Sequence, residues 1–403
     1  MDITLHAELT ADPRKGAFEL VERKGVGHPD TMCDAISETM SRYYSQFCLL
    51  NFGRVAHHWF DKVMLIGGEA DIRFGVGRIT RPYKLIFAGK CALRVGDVPI
   101  PLMELAKRAA CDVLARTLTG FDADKHLVTS LEVVDSTGPG RSSARYRPQS
   151  NDELPSLDSD DLISNDANIL VAYSTPTPLE DLVLFTESLL NGVEYKRLNP
   201  DVGWDIKVIG RRAGANLSVL VNVPFLARHI TSTHAYNERK QCVTRDLRER
   251  LRQRFDVVPE LTVNPADVGG AHPYLLALGS AADTGDVGAT GRGNRSNGLI
   301  TPMRPMSIEA PAGKNPVDHT GKLHTLAARD LAQTIATTLN ASVEVFIYTA
   351  KGSPARQPDH VMINVSRALD IEEQAGVRHA VAAELARMGE LSLRVIETGV
   401  AMW

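Results

Sequence analysis

Apolar residues along these 403 positions switch repeatedly between helical spacing and two-residue alternation, and no pattern restricts the fold more. Helical spacing predicts helices over about 31–50, 101–119, 178–191, 235–255, 322–340 and 371–388. Alternating or short apolar runs predict strands over about 62–66, 84–89, 127–135, 168–174, 206–211, 216–224, 342–349, 360–366 and 391–398. The run at 342–349 places Val343, Val345 and Ile347 on one face and Glu344, Phe346 and Tyr348 on the other, as expected of a half-buried sheet. Such a sheet covers one face with helices and offers the other to a second sheet or subunit. With strands outnumbering helices, the chain reads as α+β.

Residues 136–160, rich in Ser, Pro, Gly and charge, carry no periodicity and read as a flexible loop of the length that often serves as a lid. Residues 264–272 and 352–358 read as turns. A hydrophobic content of 43% supports a packed globule, and a net charge of −4 argues against a general nucleic-acid binder. Cys33, Cys48, Cys91, Cys111 and Cys242 form no CxxC pair and leave an odd count, so a reducing cytoplasm is expected rather than a disulfide framework or zinc site. MDITLHAELTADPRK lacks the basic-then-apolar pattern of a signal, and no apolar run approaches the roughly 18 residues that cross a bilayer, so a soluble protein without a membrane partner is expected.

The chemistry-bearing residues concentrate in two segments. In 285–322, GDVGATGRGNRSNGLITPMRPMSIEAPAGKNPVDHTGK, glycines bring backbone N–H groups close to anionic oxygens, while Arg292, Arg295, Arg304, Lys314 and Lys322 supply charge. That composition suits a polyphosphate such as ATP; a solvated glycine-rich loop is the plainer alternative. In 20–38, LVERKGVGHPDTMCDAISE, Gly25 and Gly27 precede His28, Pro29 and Asp30, and Met32, Ala35, Ile36, Met40, Tyr43 and Phe47 then recur at helical spacing. Asp30 reads as the helix N-cap, which would gather an imidazole, a carboxylate and helix N–H groups around an anion carrying a divalent metal. A capped helix with an incidental histidine is the competing view.

Together, ELVERKGVGHPDTMCDAISE, LLNGVEYKRLNPDVGWDIKVIG and GRGNRSNGLITPMRPMSIEAPAGKNPVDHTGK resemble the S-adenosylmethionine synthetases (methionine adenosyltransferases), in the form typical of archaea, from about residue 17 to the C-terminus. The resemblance implies three structurally similar α+β subdomains around a pseudo-threefold axis. These fall at about 1–135, 136–275 and 276–403, with interleaved boundaries. It also implies a homodimer or dimer of dimers with active sites between subunits, ATP and methionine as substrates, and Mg2+ and K+ as cofactors. By the same resemblance, His28 lies beside the departing O5′ and Asp30 binds magnesium, with Asp318 a second magnesium ligand or a turn residue. Arg292 and Lys314 hold phosphates within the loop of Gly291, Gly293 and Arg295, Asp286 and Asp166 contact nucleoside and methionine, and Glu69 follows the glycine pair Gly67-Gly68 at a functional position.

The departures from that family fall away from the phosphate residues. HHWFDKV at 57–63 puts Trp59, Phe60 and Lys62 where small polar groups are expected, and SNDANILVAYS keeps Asn165 and Asp166 but loses the Thr, Ser, Phe and paired glycines that usually follow. Trp59, Phe60 and Phe74 read as core rather than an adenine platform, and His57 and His58 as one buried and one exposed residue of a strand. An adenosyltransferase acting on methionine is the leading expectation. A paralogue that adenosylates another nucleophile or mainly hydrolyses tripolyphosphate, and a non-catalytic nucleotide-binding subunit, are the alternatives.

Overall fold

Three four-stranded sheets, each carrying helices on one face, organise the computed structural model, which describes residues 1–8, 12–136, 143–157, 162–256, 259–267 and 272–403. The principal elements run β1 (Asp2–Ala7), β2 (Phe18–Lys24), α1 (Pro29–Phe52), β3 (His58–Ile66), β4 (Glu69–Arg73), β5 (Val76–Arg81), β6 (Tyr83–Cys91), α2 (Leu102–Thr117) and β7 (Leu127–Val134). They continue through β8 (Asn168–Ser174), α3 (Pro178–Leu190), β9 (Lys207–Ala213), β10 (Asn216–Asn222), α4 (Thr233–Arg254), β11 (Glu260–Val263) and β12 (Val287–Ala289). The last third holds α5 (Thr320–Leu339), β13 (Val343–Thr349), β14 (His360–Val365), α6 (Ile371–Ala386) and α7 (Met388–Glu397).

One plan is used three times. The sheets are ordered β12-β3-β6-β7, β2-β9-β10-β11 and β8-β13-β14-β1. In each, the first two pairings are antiparallel and the third is parallel. A helix precedes the second strand and another follows the third; in the first two sheets that second helix is the crossover to the parallel neighbour, whereas in the last sheet the parallel edge is β1, brought in from the N-terminus. The first strand of each sheet comes from elsewhere: β2 leads into α1, β8 into α3 and β12 towards α5, yet each pairs in a sheet that those helices do not cover. The thirds are therefore laced together cyclically, and β2 and β12 are delivered to the junction where the functional residues meet.

Side-chain alternation determines which face is covered. Val343, Val345 and Ile347 are fully buried against α5, whereas Tyr348 is exposed, as the alternation predicts. Val63, Leu65, Tyr83, Leu85 and Phe87 turn towards α1 and α2, leaving Met64, Val128, Val134 and Val287 exposed on the opposite face of the same sheet. Buried apolar residues fall into three principal clusters, one under each sheet. Local signals agree with this packing: Thr177 and Asp370 form capping boxes with Glu180 and Glu373 at the starts of α3 and α6.

Several expectations are corrected. Residues 391–398 are predicted as a strand, but Met388, Leu391, Ser392, Val395 and Ile396 are buried at helical spacing in α7. Phe74 is exposed at the turn between β4 and β5 rather than in the core. Within 136–160, residues 137–142 and 158–160 lie outside the described residues, as do 268–271 of the turn read at 264–272; 143–157 carries short turns at Ser143–Arg145 and Asn151–Glu153. No helix among the described residues is long and apolar enough to cross a membrane.

Candidate active site

The first half of the site is built where β2 ends and α1 begins. Gly25 and Gly27 donate their N–H groups to the carbonyls of Ile206 and Trp204 at 2.7 and 3.2 Å, which lays the turn against the central third of the chain. His28, not Asp30, is the N-cap: its Nδ1 accepts the Asp30 N–H at 3.2 Å. Pro29 explains the shift, since proline suits the first helical position, whose N–H has no partner in any case. Burial pushes the His28 pKa down to about 4, so the ring is neutral near pH 7. With Nδ1 accepting, the ring proton lies on Nε2, leaving one N–H donor for a ligand.

The glycine segment closes over that helix end. Gly288 of β12 packs so tightly that a Cβ there would lie 2.2 Å from the Pro29 carbonyl carbon and oxygen. Asp30 Oδ1 accepts the Ala289 N–H at 3.0 Å, and Asp34, one turn further along α1, accepts the Gly291 N–H at 2.7 Å. Arg295 Nη2 donates to the carbonyls of Gly291 and Gly293 at 2.7 and 2.8 Å. Lys24 bridges the two motifs, its Nζ lying 2.8 Å from Asp30 Oδ2 and 2.7 Å from the Arg292 carbonyl oxygen. Asn294 brackets the Lys24 backbone, accepting its N–H at 2.9 Å and donating to its carbonyl at 2.8 Å. The Arg292 side chain stands exposed above this frame, and Asp286, also exposed, is close enough for its charge to act on His28.

Lys314 forms a second group further along α1. Its carbonyl accepts from Ser41 Oγ at 3.0 Å, its backbone bridges that of Trp59, and its Nζ contacts Glu309 and lies 3.7 Å from Asp61. Burial lowers the Lys314 pKa to about 8, against the opposing effect of Asp61; the charge of Asp166, which is exposed, also acts on it. Among the described residues no hydrogen bond or ion pair joins the His28 group to the Lys314 group.

The structure changes the reading of several neighbours. Asp318 is buried, with His57 Nδ1 and Arg145 Nη2 each 2.6 Å from its Oδ2. Burial alone would raise its pKa, but His57 and Arg145 hold it well below the usual carboxylate range. Asp318 thus anchors the 143–146 segment. His57 and His58 are both buried, because Tyr146 packs on His57 while His58 stacks on Phe60 and meets Ser41 Oγ at 2.7 Å. Phe60 is core, Lys62 points outward and pairs with Asp61, and half-buried Trp59 packs edge-on against His319 beside Lys314. Glu69 is exposed and pairs with Arg81 at 3.1 Å.

Among the described residues no group of three or more His, Cys, Asp or Glu side chains is arranged to hold a metal. Magnesium bound with a polyphosphate needs only one or two protein carboxylates, the substrate supplying other oxygens. Asp30 fits that limited role at the helix end, and exposed Asp286 is the next available carboxylate. Sequence reading passed over Lys24, Asp34, Asn294 and Glu309. Asp34 carried a usable signal, standing four residues after Asp30 on the same helix face; the pairing of Lys24 with Arg292 spans 268 positions and had none.

The glycine segment is thus locked onto a helix start that presents a neutral histidine and an aspartate. The family model described as S-adenosylmethionine synthetase (AdoMet synthetase) matches residues 2–399. An S-adenosylmethionine synthase of Aeropyrum pernix is 36% identical over 357 residues, covering 86% of this chain and 85% of its own, and one of Pyrobaculum neutrophilum is 37% identical with 87% of each covered. The solved structure of an unusual S-adenosylmethionine synthetase from Campylobacter jejuni is similar in fold, with a TM-score of 0.57 over 96% of both chains at 14% identity. The chain belongs to the S-adenosylmethionine synthetase family.

Proposed function

We propose that this protein is an ATP:L-methionine S-adenosyltransferase that forms S-adenosylmethionine and releases phosphate and diphosphate. The observation that carries the reading is the Lys24 bridge, which seats the phosphate loop on the helix start that His28 caps. The methionine sulfur attacks C5′ of ATP, the C5′–O5′ bond breaks, and its electron pair leaves on O5′ of the triphosphate, which water then splits. Sulfur carries a free lone pair and needs no general base, so the protein's work is alignment and stabilisation of leaving-group charge. His28, neutral and carrying its proton on Nε2, donates to O5′ as charge develops there. Arg292 and Lys314 bind the triphosphate, Arg295 shapes the loop beneath it, and Asp286, Asp166 and Glu69 meet nucleoside and methionine.

Magnesium, held by Asp30 with the substrate phosphates, supplies counter-charge to the triphosphate when bound; a potassium requirement is a further expectation from the family resemblance. The exposed apolar sheet faces, with Met64, Val128 and Val134 on one sheet and Ile169 and Tyr348 on another, support a two-fold dimer with sites between subunits. Five free cysteines, three of them buried, support a cytoplasmic setting. The test is incubation with ATP, magnesium and methionine followed by mass spectrometry. S-adenosylmethionine with matching phosphate and diphosphate supports the reading. Loss of ATP without an adenosylated product, or product only with another thioether, transfers it to the diverged-acceptor alternative.

A further inference from the structure

We propose that Glu187, in the last turn of α3, is a positioning residue that fixes the His28 turn in register with the phosphate loop. The proposal rests on the roles given above to His28 and that loop. Glu187 is 1% exposed, and both its oxygens are committed to segments distant in sequence or to the turn that holds them. Its Oε1 accepts the Val26 N–H at 3.3 Å, two residues before His28. The same oxygen accepts from Asn191 Nδ2 at 2.7 Å, and that amide also donates at 3.1 Å to the Trp204 carbonyl, which receives the Gly27 N–H. Its Oε2 lies 2.6 Å from Arg23 Nε, and Arg23 Nη1 donates onward to the carbonyl of Gly298 at the far end of the phosphate loop.

One carboxylate thus holds the turn before His28 through Val26 and the loop after Arg295 through Arg23. Asn191 and Trp204 supply the wall behind. That wall is in tight contact: a Cβ on Gly27 would lie 2.5 Å from the Trp204 Cβ and carbonyl carbon, so a small movement of the wall is passed to His28. The geometry matters because the leaving oxygen must face the His28 donor while its phosphates lie in the loop. A misplacement of about an ångström costs as much as a hundredfold in such a step. Hydrolysis of free tripolyphosphate has no C5′–O5′ bond to break and depends less on that register.

The experiment compares Glu187→Gln, Asn191→Ala, His28→Ala and the double variant Glu187→Gln/His28→Ala, each checked for wild-type secondary structure and melting behaviour. Glu187→Gln is expected to lower kcat for adenosyl transfer by about 10- to 100-fold with KM for ATP and methionine within about threefold, and to slow tripolyphosphate hydrolysis much less. Because Glu187 acts through His28, the double variant is expected to be no slower than His28→Ala within about threefold. Multiplicative effects in the double variant, or a kcat within about threefold of wild type for both Glu187→Gln and Asn191→Ala, overturn the proposal. If Glu187→Gln does not fold, Asn191→Ala carries the same comparison. If His28→Ala itself has full activity, the assignment of His28 fails, an outcome separate from additivity.

Discussion

At the scale of single residues, burial sets the ionisation of two site groups, His28 and Lys314. His28→Ala is expected to leave ATP affinity within a few-fold while slowing adenosyl transfer by about 10²- to 10⁴-fold, because its N–H meets charge that appears only as the C–O bond breaks. Single-turnover kinetics beside equilibrium ATP titration check this; a normal rate would make His28 a cap and nothing more. Asp30→Asn is expected to raise the magnesium concentration needed for half-maximal rate, with partial recovery at high metal, since one hard anionic ligand is lost. An unchanged magnesium dependence removes Asp30 from the metal site. Lys314 gives a pH signature. With its pKa lowered to about 8 by burial, it is charged below that pH and loses its proton as pH rises through it. The kcat/KM for ATP, which reports the free enzyme, should therefore fall on the alkaline side near pH 8. His28, already neutral at pH values well above its pKa of about 4, contributes no acid limb until far lower pH.

At the scale of elements, the 57–63 stretch separates into parts with different jobs. Phe60 is fully buried between His58 and Tyr44, so Phe60→Ala should cost about 3–5 kcal/mol of stability, visible in denaturant unfolding, without altering the preference among thioethers. Trp59 borders Lys314 and is half-buried, so Trp59→Asn should change KM for the sulfur substrate more than it changes the melting temperature. A loss of stability alone would assign Trp59 to packing. The helices were legible because each carries its own apolar stripe, and 178–191 and 371–388 differ from α3 and α6 only at the C-terminal end. Residues 391–398 failed because Leu391, Leu393 and Val395 fit a two-residue period as well as a helical one, and only the burial of Ser392 and Ile396 against the protein decides for α7. β1, β2 and the β4–β5 pair went unrecognised: β2 overlaps the segment 20–38, β1 finds its partner β14 some 358 positions away, and β4 and β5 are short strands paired with each other across a turn. In the candidate site, the helix start near His28 and Asp30 was legible in local sequence, although its cap is His28, whereas the pairing of Asp318 with His57 and Arg145 depends on contacts across 261 and 173 positions.

At the scale of the molecule, the uncovered sheet faces set the expected assembly. Val128→Asp and Ile169→Asp place charge on exposed apolar strands of two sheets, so each should leave the fold intact, shift the mass seen by light scattering from dimer towards monomer, and lower activity together with that mass. A monomer with full activity would separate assembly from catalysis.

The exchange of edge strands among the three sheets has a thermodynamic consequence. Because β2, β8 and β12 each complete a sheet other than the one beside their own helix, removing any one third strips an edge from a neighbour and exposes its unpaired N–H and C=O groups. None of the thirds is a unit that survives excision, however alike their plans. Calorimetry should therefore register a single endotherm rather than three, and a fragment spanning residues 178–263 should not retain β9–β11 as an ordered sheet once Phe18–Lys24 is absent.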